Sequence, residues 1–379
     1  MKVQVVDPSA FTPAYDHALC AALAAQGAET ELVTSAYAYG AVPAPDAYTR
    51  RELFYRHVPG RAGSRLRQGG KLLGHVPDMV RYRRHAASAD VVHFQWFDVP
   101  WLDRALLPRR PLVLTAHDLL PREPRAGQVR AQRRLLNAVD AVIVHSEYGR
   151  SQLVTRIGIP DAKVHVIRHG AFAHLTRQPP ERPLPDELRA TQRPAVLFFG
   201  LLRPYKGIEV LLDAWRGIDG AELWIVGRPR MPLEPLRARA GASVRFIPRY
   251  VSDAEIPAFF RRAEIVALPY VHTERFDQSG VLATALAFGK PVVATDIGGF
   301  REVADIGAAV LVPPGDPLAL RTTLDRLLAD QAARERLAGA ARTAASGPYS
   351  WQTAARRTIS LYERLVRRTA SSTPQSTPP

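Results

Sequence analysis

The sequence predicts an α/β chain of two doubly wound domains, each a parallel sheet with helices on both faces. Three observations carry this prediction. Short β-branched, apolar runs alternate with longer amphipathic segments from end to end, the pattern of buried parallel strands joined by helical crossovers. The alternation stops after Gly170, crosses a segment with five prolines, "AFAHLTRQPPERPLPDELRATQRP", and starts again at Ala195. The length of 379 residues is also enough for two separate cores.

In the first half, strands are expected at Lys2 to Val6, Glu31 to Thr34, Asp90 to Phe94, Pro111 to Thr115, Ala141 to His145 and Val164 to Arg168, with helices between them. The proline-rich segment reads as a connection. A second set of strands is expected at Ala195 to Phe199, Glu222 to Val226, Ser243 to Ile247, Ile265 to Leu268, Pro291 to Thr295 and Ala309 to Val312. Helices over Asp316 to Ala345 and Trp351 to Arg368 follow, and "TASSTPQSTPP" is too polar and proline-rich to fold. The domains expected are therefore 1–172 and 194–346, with 173–193 as the connection, 347–368 as a closing helix and 369–379 as a disordered tail. Doubly wound sheets bind ligands at the carboxyl ends of their strands, where the strand order reverses. Two such domains point to an enzyme with two substrates.

Composition narrows the classes. Hydrophobic residues make up 46% and charged residues 23%, as in ordinary globular chains, and no apolar run reaches the length of a membrane span. Asp7 and Pro8 interrupt "MKVQVVDPSAF" where a signal peptide needs an unbroken apolar core, so no export signal is expected. The single cysteine, Cys20, excludes an internal disulfide and a cysteine-based metal site, which fits a reducing, cytoplasmic setting. A net charge of +15 raises the question of nucleic acid. Only five of the 51 basic residues are lysine, however, and this arginine bias in a chain rich in Ala and Pro reads as compositional. No nucleic acid partner is expected, because basic surfaces serve anionic substrates and membranes equally well. The stretch from Arg61 to His85 is strongly basic, with Asp78 its sole acid. Both peripheral docking on anionic headgroups at the inner face of a membrane and an ordinary solvated helical face fit it.

Two strand exits in the second half carry chemistry. After Ala195 to Phe199 comes "GLLRPYKGIEVLLDAW": Gly200 permits a turn, Arg203 and Lys206 project at its mouth, and Gly207 opens a helix. A forked guanidinium beside a point-charge ammonium suits a phosphate. The second exit leads to "DQSGVLATALAFGKPVVATDIGGFRE", where Ser279, Gly280, Ala283, Ala285, Gly298 and Gly299 are all small. A helix that begins at Ser279, Gly280 and Val281 without a bulky side chain lets backbone amides reach a phosphate directly, and a diphosphate is the ligand that fits. Glu302 follows the last glycines, placed to accept hydrogen bonds from hydroxyls.

These motifs, "FFGLLRPYKGIEVLLDAW", "LWIVGRP" and "SGVLATALAFGKPVVATDIGGFREV", resemble the nucleotide-sugar half of the family-4 retaining glycosyltransferases. The similarity extends into the first half through "ADVVHFQW", "PLVLTAHD", "AVIVHSEYGRSQL" and "KVHVIRHG". It implies the GT-B fold: two facing Rossmann-like domains with a cleft between them, and a C-terminal helix that crosses back to the first. By position, it implies that Arg203 and Lys206 bind the donor diphosphate and that amides around Ser279 to Val281 hold the distal phosphate. Gly200 and Gly227 would line the nucleotide pocket, and Arg249 and Tyr250 would flank the base. His117, followed by Asp118, matches a histidine beside the donor sugar, contacting sugar or acceptor and not acting as a base.

The sequence also departs from the family pattern. Two glutamates usual in the family fall here on Phe276 and Thr284, leaving Glu274 and Asp277 as substitutes for the first and Glu302 to take the ribose. The loop "DPSAFTPAYDHAL" lacks the paired glycines common in the family, so Pro8 to Pro13 would shape the acceptor side. The resemblance implies transfer from a nucleoside-diphosphate sugar to a hydroxyl acceptor with retention of configuration and no metal or other cofactor. No Asp-x-Asp triad of the metal-using kind occurs in the chain. A sugar-nucleotide epimerase, a phosphorylase and a non-catalytic sugar-nucleotide or glycan-binding module remain as other readings on the same fold. Phe276 and Thr284 motivate the last of these.

Overall fold

The computed structural model describes residues 1–37, 40–58, 64–120, 127–177, 182–271 and 278–372. The chain divides into two compact units, one formed by Met1–Arg168 with the chain from Trp351 onward, the other by the described residues from His169 to Ser350.

The first unit is built on a seven-stranded sheet: β1 (Lys2–Asp7), β2 (Glu29–Ser35), β3 (Thr49–Phe54), β4 (Val91–Phe94), β5 (Leu112–Thr115), β6 (Ala141–Val144) and β7 (Val164–Val166), in the order β3-β2-β1-β4-β5-β6-β7. Every pairing is parallel, and the winding reverses between β1 and β4. The central strands are apolar because both faces are covered. β3 is the strand missing from the sequence reading. Its first four residues, Thr49 to Glu52, alternate between exposed and partly covered, as an edge strand permits, and only Leu53 and Phe54 are buried, so the strand lacks the apolar run that marks the others. The core gathers Val6, Val33, Phe54, Tyr82, Phe94, Leu114, Val142 and Val144.

The helix Trp351–Ser372 closes this unit by packing on the helix Pro13–Ala25. Tyr362 Oη lies 2.6 Å from Nδ1 of the buried His93, whose Nε2 lies 2.7 Å from Thr115 Oγ1. Burial lowers His93 to about 3, so the ring stays neutral and both contacts are hydrogen bonds rather than ion pairs. The helix runs through Ser372, four residues into the segment that composition alone reads as unfolded; residues 373–379 lie outside the described residues.

The second unit holds a six-stranded parallel sheet: β8 (Ala195–Phe199), β9 (Glu222–Val226), β10 (Val244–Ile247), β11 (Ile265–Leu268), β12 (Val292–Thr295) and β13 (Ala309–Val312). Its order is β10-β9-β8-β11-β12-β13, with the reversal between β8 and β11. Two short helices, Ala173–Arg177 and Asp186–Arg189, occupy the proline-rich segment that precedes it. The expected helix from Asp316 to Ala345 is two helices, Pro317–Ala329 and Gln331–Ser346. Asp330 separates them, ending the first and capping the second by accepting from Ala333 N at 2.8 Å.

The exits of β8 and β9 touch. Gly200 N donates to Val226 O at 3.0 Å, and Leu202 N to Arg228 O at 3.0 Å. A Cβ on Gly227, whose φ is +142°, would sit 1.9 Å from Gly200 O. Gly227→Ala should therefore destabilise the fold by about 2–4 kcal/mol, whereas Gly241→Ala, at a site with nothing within 4 Å, should change it by less than about 0.5 kcal/mol; urea denaturation of the two variants checks the contrast.

A second expectation comes from two buried carboxyls, Asp7 at the end of β1 and Asp16 in the helix Pro13–Ala25, which are hydrogen-bonded to each other. Burial pushes Asp7 up to about 6 and Asp16 well above the usual carboxylate range. The folded state thus holds protons that the unfolded chain releases. The pair's contribution is fully present below the unfolded carboxylate pKa of 3.8 and is lost as pH rises through about 6. Asp16→Asn supplies the donor without the proton, so its melting temperature should exceed that of the parent by a few degrees at pH 7 and by much less at pH 4. An equal shift at both pH values would contradict this.

Candidate active site

In the second unit the strand order reverses beside β8, and the residues after that strand form a compact cationic site. Gly200 has φ +100°, and the space where its side chain would stand is taken by Lys206 Nζ at 2.8 Å and Val281 Cγ2 at 3.3 Å. Lys206 is only 6% exposed. Its ammonium lies 3.4 Å from Phe199 O and faces the rings of Tyr270, at 5.4 Å, and Phe198, at 5.9 Å. Carbonyl and ring dipoles hold the cation at the strand's end. Arg203, three residues before it, has a buried Nε with no hydrogen-bond partner among the described residues. An unmade buried donor costs about 1–3 kcal/mol, which marks this turn as a place where a ligand atom is expected.

The helix Gly280–Ala287 begins alongside. Ser279 caps it, its Oγ accepting from Val281 N at 3.2 Å and lying 3.1 Å from Tyr270 Oη, while Ser279 N donates to Gln278 Oε1 at 3.0 Å. Tyr270 thus touches both the cap and the ammonium, a role that its position after β11 hinted at without specifying. Gly280 leaves room for a Cβ, which would find its nearest neighbour, Phe172, at 3.8 Å, so packing does not require a glycine there. Thr284 is buried and its hydroxyl donates to Gly280 O at 2.8 Å, which engages it within its own helix. Glu302 lies in the first turn of the helix Phe300–Asp305, after β12. Thr295 Oγ1 donates to Tyr270 O at 2.6 Å and ties the β12 exit to the β11 exit.

The structure thus brings Gly200, Lys206, Tyr270, Ser279 and Val281 together, with Gly227 supporting Gly200 from β9. Arg249 and Tyr250 follow β10, the edge strand. Arg249 is bridged to Glu255 at 2.8 Å and donates to Tyr250 O at 3.0 Å, so its guanidinium is already engaged. Glu274 and Asp277, and Phe276 between them, lie outside the described residues.

In the first unit, His117 follows β5. Its Nε2 lies 3.0 Å from Gln95 Oε1, an atom that only accepts, so Nε2 carries the hydrogen. The ring stacks on Trp96, with centroids 5.0 Å apart and planes at 16°, and meets the edge of Tyr15 at 4.6 Å. His145 stands behind it at 5.5 Å, and burial lowers that histidine to about 4, so it is neutral at physiological pH. Gln95, Trp96 and Tyr15 are contacts of His117 that sequence reasoning did not select. Gln95 and Trp96 do immediately follow β4, at the strand end where such sheets bind ligands.

This geometry can be set beside known proteins. The family described as "Glycosyl transferases group 1" matches residues 193–330, and "Glycosyltransferase Family 4" matches residues 15–171. A D-inositol 3-phosphate glycosyltransferase from Xylanimonas cellulosilytica is 30% identical over 388 residues, covering 92% of this chain and 90% of its own. A phosphatidyl-myo-inositol mannosyltransferase from Mycobacterium leprae is 40% identical over 180 residues, 45% of this chain and 46% of its own. Among solved structures, the Anabaena protein HepE in complex with UDP and glucose superposes with a TM-score of 0.75 at 19% identity, covering 96% of this chain and 100% of its own. The fold is GT-B, and the chain belongs to the family-4 glycosyltransferases.

Proposed function

We propose that this glycosyltransferase takes its sugar from a nucleoside-diphosphate sugar and delivers it to a hydroxyl acceptor with retention of configuration and without a metal. The second unit is the donor side and the first unit the acceptor side. The observation that carries the reading is the cationic turn after β8: a buried ammonium at Lys206 beside an unpartnered guanidinium nitrogen of Arg203. Both belong to the strand exit next to the winding reversal. HepE and its UDP and glucose complex share this fold, which supports a nucleotide donor.

In this reading Arg203 and Lys206 bind the diphosphate, and the amides at Ser279 to Val281 take a phosphate oxygen in place of the side-chain oxygens that now cap them. Glu302 accepts from the ribose. As the bond from the sugar carbon to the diphosphate breaks, negative charge grows on the leaving phosphate, and fixed cations and amides stabilise it more than they stabilise the ground state. The acceptor oxygen bonds the same face of the sugar carbon and its proton passes to the leaving phosphate, so the nucleoside diphosphate departs and no protein nucleophile is required. In this reading the cations of Arg203 and Lys206 neutralise the diphosphate, the task a metal would otherwise perform.

The first unit supports a membrane contact as well. The helix Arg65–His85 exposes Leu66, Leu72, Leu73, Val76 and Val80 together with the basic residues Arg81 and Arg84. Apolar and cationic side chains on one exposed helix suit the headgroup boundary of an anionic bilayer.

Two experiments test these readings. In the first, UDP-, GDP-, ADP- and dTDP-sugars are screened for thermal stabilisation and for release of free nucleoside diphosphate, with and without EDTA. One nucleotide should stabilise the protein and be released, chelator should not slow release, and Arg203→Ala with Lys206→Met should lower kcat/KM by roughly 10²–10³-fold. Near-normal turnover by the double variant would sink the diphosphate assignment. In the second, Leu73→Ser should reduce co-sedimentation with vesicles containing phosphatidylglycerol, while vesicles of phosphatidylcholine alone should retain neither protein. Equal retention on both lipids would remove the electrostatic argument.

A further inference from the structure

The first unit carries an open pocket of about 550 Å³, none of whose lining residues the transfer reading uses. Its walls come from the closing helix Trp351–Ser372, from β7 at the edge of the sheet, and from the short helix Glu147–Ser151 with the turn that precedes β7. Charge is unevenly spread over these walls. The two carboxylates present are both engaged by one cation. Arg150 donates through Nε and Nη2 to the two oxygens of Asp161, at 2.9 and 2.7 Å, and its Nη1 lies 3.7 Å from Glu147 Oε2.

The closing helix then adds three more arginines, and no further acid lines the pocket to offset them. Arg356 donates to Thr353 Oγ1 at 3.0 Å, whereas Arg357 and Arg364 make no hydrogen bond or ion pair among the described residues. Arg357, Ser360 and Arg364 follow one another at steps of three and four, so they form a single stripe along the helix. His165 of β7 lines the same space. Burial lowers its pKa first, and the neighbouring cations of Arg364 and Arg150 lower it further, with Asp161 opposing. Guanidiniums gathered without a counter-charge repel one another and the protonated ring, and an anion among them relieves both.

We infer that this pocket is a binding site for a phosphate monoester, whose dianionic head is taken by Arg357 and Arg364 with Ser360 and His165 as further donors. Each guanidinium fork matches a pair of phosphate oxygens, and a hydroxyl and an imidazole donate to what remains. A carboxylate offers one pair of oxygens and satisfies one fork, so the two arginines favour phosphate over it. The volume lies in the range of small-molecule sites and exceeds what a phosphate needs, which leaves room for the group that carries the ester. An occupant would bridge the closing helix to the sheet's edge strand and so hold that helix in place. The inference stands apart from the transfer reading and does not rest on it.

The test is calorimetric titration, at fixed ionic strength, of the full chain carrying Arg203→Ala and Lys206→Met, which removes the cationic turn after β8 as a competing phosphate site. Glycerol 3-phosphate should bind saturably and acetate should not. Adding Arg357→Gln with Arg364→Gln should raise the Kd for glycerol 3-phosphate roughly tenfold or more. Arg133→Gln with Arg134→Gln, an equal loss of charge on the helix Gln128–Ala138, should leave it within about twofold. In protein with 13C-labelled histidine rings the ligand should move the titration midpoint of His165 upward, because an anion favours the protonated ring; His165→Gln identifies that signal. Monomeric dihexanoyl phosphatidic acid separates the sources of the ester. Binding much tighter than that of glycerol 3-phosphate supports the site and assigns it to a phospholipid headgroup, and equal binding supports it and assigns it to a soluble ester. All four substituted arginines are exposed, and thermal melts establish that the variants are folded. Absence of saturable binding, equal losses in the two arginine pairs, or an unmoved His165 midpoint overturns the inference. Donor binding is read separately on the parent protein, so none of these results bears on the transfer reading.

Discussion

Backbone lying directly on backbone is the constraint on which the cationic site of the second unit depends. At Gly227 and Gly200 the exits of β9 and β8 meet, and at Gly207, where φ is +69°, a Cβ would stand 1.9 Å from Pro269 O, so the exit of β11 lies against the same turn. Val271 N donates to Tyr205 O at 2.9 Å across that second contact. Three strand exits are therefore locked together by contacts that leave no room for a side chain, and this places the Lys206 ammonium against Tyr270 and Phe198. Holding a cation in low-dielectric surroundings before the reaction begins means that little reorganisation is needed when charge develops.

The first unit is organised differently, through polar groups buried at strand ends. Burial raises Asp7 to about 6 and Asp16 well above the usual carboxylate range, so this hydrogen-bonded pair keeps a proton to higher pH than free carboxylates do, and burial lowers His93 and His145 so that both rings stay neutral. The two histidines supply hydrogen bonds of fixed direction without adding formal charge near His117.

The strands with buried faces were legible because burial on both sides leaves a continuous apolar run that nothing else in a soluble chain produces. β3 was not, since an edge strand with one wet face can be written "TRRELF". The break at Asp330 was missed for a related reason: the apolar periodicity continues across it, and only the cap on Ala333 N marks a new helix. In the cationic turn after β8, Arg203 and Lys206 could be found because a strand exit, a glycine and two cations lie within seven residues of one another. The ring of contacts around His117 could not, because Gln95, Trp96 and Tyr15 are distant from it in sequence and meet it only in the folded unit.

The helix Trp351–Ser372 has a consequence for how the protein is made. His93 and Tyr362 are separated by 269 residues, so the hydroxyl that bonds this histidine is synthesised long after it. At about 5–20 residues per second, on the order of ten to fifty seconds pass between the two. Throughout that interval the nascent first unit carries its sheet and the helix Pro13–Ala25 with the face that the closing helix covers still open to water. Although its strands are all near the amino terminus, the first unit can be the last to reach its final packing, and the exposed face of Pro13–Ala25 is where a chaperone would find it.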